Sequence, residues 1–367
     1  MNSATPSVLF VVPGKITRLT GGSLYDKKVA DSLVEDGFSV DIVSVPDLSY
    51  FAGLICGLFI APGLLLRLVR GRHQIVIEDG WVHPAALLFN IACRLSARTR
   101  LVIIVHQVRC ERITLPFRFI ARMVERASLR SAGLIVSVSA FINRGIEQLI
   151  GSEGNTIIAL PGSDSPLICP EPLKASPEDT EMDGAPLRLL FVGNCTRVKG
   201  LDYLIRALAM LDDLRLELDI VGDVTIEPRY YDRVQQKAKR LNVENRVRFH
   251  GALSCEHLGL FYSRADIFTF PSLYEGFGIV LGEAMHAGLA IVTTRIGPVD
   301  EIVREGENAF VVPSGDAAAL ARAIRTLSTD TTMRMRYGQR SRELAQTLPT
   351  WKQTCEKISS ALERSDA

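Results

Sequence analysis

Pro271-Ser272-Leu273-Tyr274-Glu275-Gly276-Phe277-Gly278-Ile279-Val280-Leu281-Gly282-Glu283 decides how the rest of this chain is read. A short apolar run ending at Phe270 precedes it, and two carboxylates stand eight positions apart with a glycine-rich turn between them. The pattern reads as strand, loop, helix. The loop Glu275-Gly276-Phe277-Gly278 aims backbone N–H groups of a helix N-terminus at an anion, and its glycines permit close approach. Glu283 then sits one to two turns into the helix. A carboxylate there repels phosphate but accepts hydrogen bonds from sugar hydroxyls. One loop thus offers N–H groups for phosphate and carboxylates for polyols, a combination that points to a nucleotide-sugar.

Working outward, the second half of the chain alternates strands and helices. Apolar runs at 187–192, 216–221, 247–249, 267–270, 290–293 and 310–312 read as strands. Helical spacing falls at 201–211, 230–241, 255–263, 317–327 and 332–344, with a short helix near 300–304 and Ser254 as the cap of the third. The loop Gly193-Asn194-Cys195-Thr196-Arg197-Val198-Lys199-Gly200 follows the first of these strands and holds two cations.

The first half has the same rhythm. Strands are expected at 8–12, 40–45, 74–77, 101–105, 133–138 and 155–160. A glycine loop, Gly21-Gly22, precedes a helix marked by Tyr25, Val29 and Leu33 and stopped at Gly37. No G-x-G-x-x-G follows the first strand, so a dehydrogenase fingerprint is absent. His106 stands at the carboxyl end of a strand, where doubly wound sheets bind ligands. Arg109 and Arg112 follow and read either as an anion site or as solvated surface.

Residues 51–66 carry no charge, are interrupted by Pro62, and are followed by Arg67, Arg70 and Arg72. A bilayer span needs ~20 apolar residues. Two readings stand: a mostly buried core helix, or a helix on a membrane surface anchored by the arginines.

Residues 165–186 mix five prolines with Glu, Asp, Ser and Gly and read as a connection between domains. The expected division is 1–164, an acceptor-side Rossmann-like domain; 165–186, a linker; 187–348, a nucleotide-sugar-binding Rossmann-like domain; and 349–367, a helix crossing back to the first domain. At 367 residues two domains are the natural prior. A net charge of +1 excludes a nucleic-acid-coating protein. Seven cysteines without a C-x-x-C argue for a reducing compartment and against a zinc site or disulfide framework. No signal peptide is read at 1–7, so the expected location is cytoplasmic, with peripheral contact to the inner membrane face through 51–72 under the second reading of that stretch.

Taken together, G-x5-K-G and E-G-F-G-x4-E resemble the retaining glycosyltransferases of family 4, which have the two-Rossmann-domain GT-B fold. The resemblance spans nearly the whole chain. It is most specific at Pro271-Ser272, Glu275, Glu283-Ala284-Met285, Gly288 and Asn308-Ala309-Phe310-Val311-Val312. It implies two doubly wound α/β domains facing a cleft and transfer of a sugar from a nucleoside-diphosphate donor. Glu275 would hold donor-sugar hydroxyls, with N–H groups around Phe277, Gly278 and Ile279. Glu283 would hold ribose hydroxyls, and Arg197 and Lys199 the diphosphate. Gly21, Gly22, Gly193, Gly222 and Gly276 would line the donor, and the loop from His250 through Gly251 to Leu253 would face the nucleobase. His106 would sit near the transferred sugar carbon. Many family members carry arginine where this chain has Asn194, so the diphosphate role passes to Arg197. There is no D-x-D motif near the site, and no metal or other cofactor is expected, because the two cations can carry the charge. The acceptor, whether lipid-linked, polysaccharide or small molecule, is not written in a readable form. Two rival readings are an epimerase or phosphorolytic enzyme on the same fold, and a non-catalytic sugar-nucleotide-binding subunit of a glycan assembly complex.

Overall fold

A computed structural model describes residues 6–18, 20–96, 98–151, 154–164 and 185–363. Most of the connection expected at 165–186 therefore lies outside the described residues. The chain divides into two compact units, Met1–Pro161 with Trp351–Ala367, and Gly162–Thr350.

The first unit runs β1 (Ser7–Pro13), α1 (Gly21–Glu35), β2 (Ser39–Val45), α2 (Tyr50–Gly71), β3 (Ile75–Asp79), α3 (His83–Leu95), β4 (Arg100–Val105), α4 (Arg118–Ser131), β5 (Leu134–Ser137), α5 (Ala140–Ile150) and β6 (Thr156–Ile158). Its sheet is parallel throughout, in the order β2-β1-β3-β4-β5-β6. Central strands covered on both faces must be apolar without alternation. Accordingly Val8, Leu9, Phe10 and Val11 have no solvent exposure, and neither do Val102, Ile103 and Ile104.

The second unit runs β7 (Leu187–Val192), α6 (Leu201–Ala209), β8 (Leu216–Val221), α7 (Pro228–Arg240), β9 (Val247–Gly251), α8 (Cys255–Arg264), β10 (Ile267–Phe270), α9 (Ile279–His286), β11 (Ala290–Thr294), α10 (Val299–Ile302), β12 (Ala309–Val312), α11 (Ala317–Thr329) and α12 (Thr331–Ala345). The sheet order is β12-β11-β10-β7-β8-β9, again all parallel. Each sheet has one point where the winding direction reverses, between β1 and β3 in the first unit and between β7 and β10 in the second. Such folds bind ligands outside the carboxyl ends of the strands at that point. In the second unit the loops leaving it are 193–200 and 271–278, the two that carry the cations and Glu275.

A last helix, α13 (Trp351–Glu363), belongs to the first unit. Trp351 meets the Tyr25 ring edge-on at 5.8 Å between centroids, and Thr354 donates to the Leu160 carbonyl at 2.6 Å. Arg100 donates to the carbonyls of Leu362 and Ala361, which in the last turn of a helix have no intrahelical N–H donor.

Several local expectations are corrected. Pro62 does not interrupt its helix, and α2 is continuous for 22 residues. Pro62 and Leu58 both lie on the exposed side, where the carbonyl freed by the missing N–H can meet water. Nor is α2 mostly buried: only 28% of its most apolar window is covered, and Phe59 is 81% exposed. Gly21-Gly22 is not a loop but the first turn of α1, because Thr20 caps the helix by accepting from the Ser23 N–H at 3.1 Å. His250 lies in β9 rather than after it, and the helix near 300 ends at Ile302. Ser254 occupies the cap position of α8, but its hydroxyl pairs with His257 instead.

Candidate functional site

The second unit's switch point is built by two loops pressed together. Gly200 has φ +67°, and a Cβ placed on it would stand 2.1 Å from the Pro271 carbonyl oxygen. Only glycine permits both the backbone angle and the approach. The Leu273 N–H donates to the Val198 carbonyl at 2.7 Å and ties the loops. The consequence is that the Lys199 ammonium donates to the Glu275 carboxylate. Lys199 also lies 5.0 Å from the centre of the Phe270 ring, and the Ser272 hydroxyl donates to Glu275 at 3.3 Å. Arg197, in contrast, is exposed, with its N–H donating to Glu227 at 3.3 Å.

Gly278 caps α9 with φ +96°, turning the chain so that the helix begins at Ile279. The Leu281 N–H donates to the Gly278 carbonyl at 2.9 Å, whereas the Ile279 and Val280 N–H groups of this first turn have no i−4 acceptor within the helix and are candidate donors to an anion. Phe277 is buried beneath them. Glu283, the fifth residue of α9, accepts a hydrogen bond from Tyr262 at 2.7 Å. Burial pushes the Glu283 carboxyl up, and the Tyr262 hydroxyl opposes that shift. Tyr262 was not singled out from sequence. It reads there as one more apolar-face residue of α8, and no spacing links it to Glu283.

Gly193, Gly222 and Gly251 end three neighbouring strands. Gly193 donates to the Val221 carbonyl and Gly222 to that of Gly251, each at 2.8 Å. Leu253 is half-buried in the loop beyond, and Gly276 half-buried beside Glu275. His250 pairs with Asp219 at 2.6 Å and packs on Phe261 at 4.4 Å between ring centres.

The first unit holds a separate cluster. His106 Nε2 lies 3.0 Å from Asp26 Oδ1, and Gly22 has room for no more than a methyl beside the imidazole, a Cβ there meeting it at 3.4 Å. Gly21 stands one residue earlier in the same turn. Burial pushes His106 down, but the charges of Asp26 and Asp79 and the hydrogen bond to Asp26 outweigh it and hold the imidazole up at about 9. Asp79 is pushed up by burial and by Asp26. Asp26, Asp79 and His106 bring ligand atoms within 4.8 Å of one another, which makes them the group among the described residues able to hold a metal ion. Arg109 is neither solvated nor open to an anion. It is buried, sits 4.0 Å over Trp81 and 5.2 Å over Tyr50, and donates to the Trp81 carbonyl.

Two parallel doubly wound sheets, each with its polar loops at the switch point, define the GT-B class of two-domain α/β proteins. Residues 174–344 match the family model described as "Glycosyl transferases group 1", so the second unit is a group 1 glycosyl transferase domain. Among curated relatives, the chain is 31% identical over 233 residues to a D-inositol 3-phosphate glycosyltransferase of Corynebacterium aurimucosum, covering 61% of this chain and 55% of that one. The chain spans about half the length of the curated relatives it matches. Among solved structures, a sucrose-phosphate synthase from Thermosynechococcus elongatus covers 98% of both chains with a TM-score of 0.84 at 20% identity. The Anabaena protein HepE, solved with UDP-glucose, covers 98% of this chain and 99% of its own with a TM-score of 0.79, also at 20% identity. At that identity the likeness concerns the fold.

Proposed function

We propose that this chain is a retaining glycosyltransferase that moves a sugar from a nucleoside-diphosphate donor to a hydroxyl acceptor. The observation that carries the reading is the meeting of Lys199 and Glu275 at the second unit's switch point, with Glu283 held by Tyr262 on the adjoining helix. A cation, a row of N–H groups and two carboxylates match a diphosphate flanked by two polyols. Lys199, with Arg197, holds the diphosphate, Glu275 the donor sugar and Glu283 the ribose. When the glycosidic C–O bond breaks, negative charge collects on the departing phosphate. Lys199 and the first turn of α9 face that charge already oriented. The acceptor oxygen bonds to the sugar carbon on the face the diphosphate leaves, and its proton passes to the departing phosphate. The two cations carry the charge that a metal carries elsewhere.

The test is a panel of UDP-, GDP- and ADP-sugars screened by thermal shift, followed by incubation of the stabilising donor with acceptors. UDP-sugars come first, since HepE was solved with UDP-glucose. A bound donor raises the melting temperature by linkage, and NMR of the product reads the anomer. Release of a C2 epimer from donor alone, phosphate-dependent formation of sugar 1-phosphate, or donor binding without transfer would overturn the proposal.

A further inference from the structure

The first unit carries a surface that the transfer reaction does not use. Helix α2 is apolar on both sides. Gly53, Gly57, Ala61, Leu64 and Leu68 face inward, and a Cβ on Gly57 would stand 2.7 Å from the Ala85 carbonyl oxygen, so α2 lies hard against α3. The Tyr50 hydroxyl donates to the Ala121 carbonyl at 2.9 Å and the Phe51 and Phe117 rings meet at 5.3 Å, which joins the start of α2 to the start of α4. The outward side continues across this junction as an apolar strip. Phe59 is 81% exposed and Leu115 80%, with Val69, Phe117 and Phe119 also above half. Most of the exposed large hydrophobic side chains among the described residues lie on α2, α3, α4 and the approach to α4.

Charge follows the same boundary. Residues 51–131 contain twelve arginines, no lysine and four carboxylates. Three of those carboxylates, Glu78, Asp79 and Glu125, are buried. The chain as a whole is close to neutral, at +1, so the positive charge is concentrated beside the apolar strip. Arg70 near the end of α2 and Arg118 and Arg126 on α4 are exposed. Solvent disfavours such a strip, and an anionic bilayer interface takes both its parts, aromatic and aliphatic side chains below the headgroups and arginines among them.

We propose that α2 and α4 of the first unit dock this protein on an anionic lipid surface, with α2 lying in the plane of the interface. The helix is long and apolar enough to cross a membrane, its most apolar 18-residue window having a mean hydropathy of 2.1. Its inner side is committed to α3 through Gly57, so it lies on the bilayer instead of spanning it. This inference is independent of the transfer reading, since docking needs neither donor nor acceptor.

The full chain is floated with vesicles of phosphatidylcholine alone and of phosphatidylcholine mixed equally with phosphatidylglycerol. It floats with the anionic vesicles, does not float with the neutral ones, and is released by salt. Phe59→Asp with Phe119→Asp abolishes flotation while the circular-dichroism melt is unchanged. Arg70→Gln, Arg118→Gln and Arg126→Gln each lower partition about fivefold. Failure to float with anionic vesicles, or flotation indifferent to both sets of substitutions, overturns the proposal. So does a dimer in vesicle-free solution that the Phe59→Asp, Phe119→Asp variant dissociates, since a second copy would then be the occupant.

Discussion

Lys199 and Glu275, 76 positions apart in sequence, form an ion pair at the ends of β7 and β10, the two strands that meet where the second sheet reverses its winding. Both side chains are largely covered, at 23% and 12% exposure. The pair places a cation and a polyol acceptor in one spot before any ligand arrives.

Lys199→Ala removes a preoriented charge and lowers kcat by about 10²–10³. Glu275→Gln, which keeps the shape and loses the charge, raises KM for the donor as well. The exposed pair Arg325 and Asp213, at 2.5 Å, is the control: Asp213→Asn leaves turnover unchanged. Steady-state kinetics with the donor found by thermal shift checks all three, and wild-type turnover by Lys199→Ala would remove Lys199 from the site.

Gly200→Ala forces a Cβ into the Pro271 carbonyl at a backbone angle that L-residues avoid. Overpacking and the left-handed angle together cost roughly 2–5 kcal/mol, so the second unit's melting temperature falls by roughly 5–15 °C. Donor affinity falls with it, because the same contact brings Lys199 to Glu275. A calorimetric scan with and without donor separates the two effects.

Tyr262→Phe deletes the hydroxyl that Glu283 accepts from at 2.7 Å. Hydrogen bonds to charged groups contribute about 1.5–3 kcal/mol. Affinity for the nucleoside diphosphate drops about tenfold or more, and isothermal titration measures it. Because burial raises the Glu283 carboxyl and Tyr262 lowers it, the variant also moves the loss of binding on acidification to higher pH.

Glu78 is fully buried and held up at about 8 by burial, against an ordinary 4.5. Between these values the native state keeps a proton that the unfolded chain has released, so stability is full below 4.5 and declines as pH rises towards 8. Glu78→Gln removes that decline, whose limit is ~1.4 kcal/mol per pH unit. The variant matches wild type near pH 4 and exceeds it at pH 8 in urea melts. Equal slopes would contradict the assignment.

Asp26→Asn takes away the charge nearest His106. Asp79 alone then opposes burial, and the imidazole moves down from about 9. In the wild type this group supports folding below 6.5 and loses that contribution as pH climbs through 9, and the variant shows less of that loss. An NMR titration of the His106 ring reads the shift directly.

The local pattern of this chain determined most of its architecture. Unbroken apolar strands at 8–12, 101–105 and 267–270 demand two covered faces, and their alternation with helical spacing demands parallel winding. The stretch from Pro271 to Glu283 carried its loop and helix in its glycines and its periodicity. Other features needed three dimensions. Nothing in sequence pairs Tyr262 with Glu283, or Asp26 with His106, because those contacts depend on which faces of neighbouring elements the sheet order brings together. The glycine pair at 21 and 22 misled for a related reason: glycine suits a loop, but the Thr20 cap decided for a helix. Helix α2 shows the limit most clearly. Its composition states only that it is apolar, and burial is a property of neighbours. Only the packing of Gly53, Gly57 and Ala61 against α3 determined which side of it is left for something else.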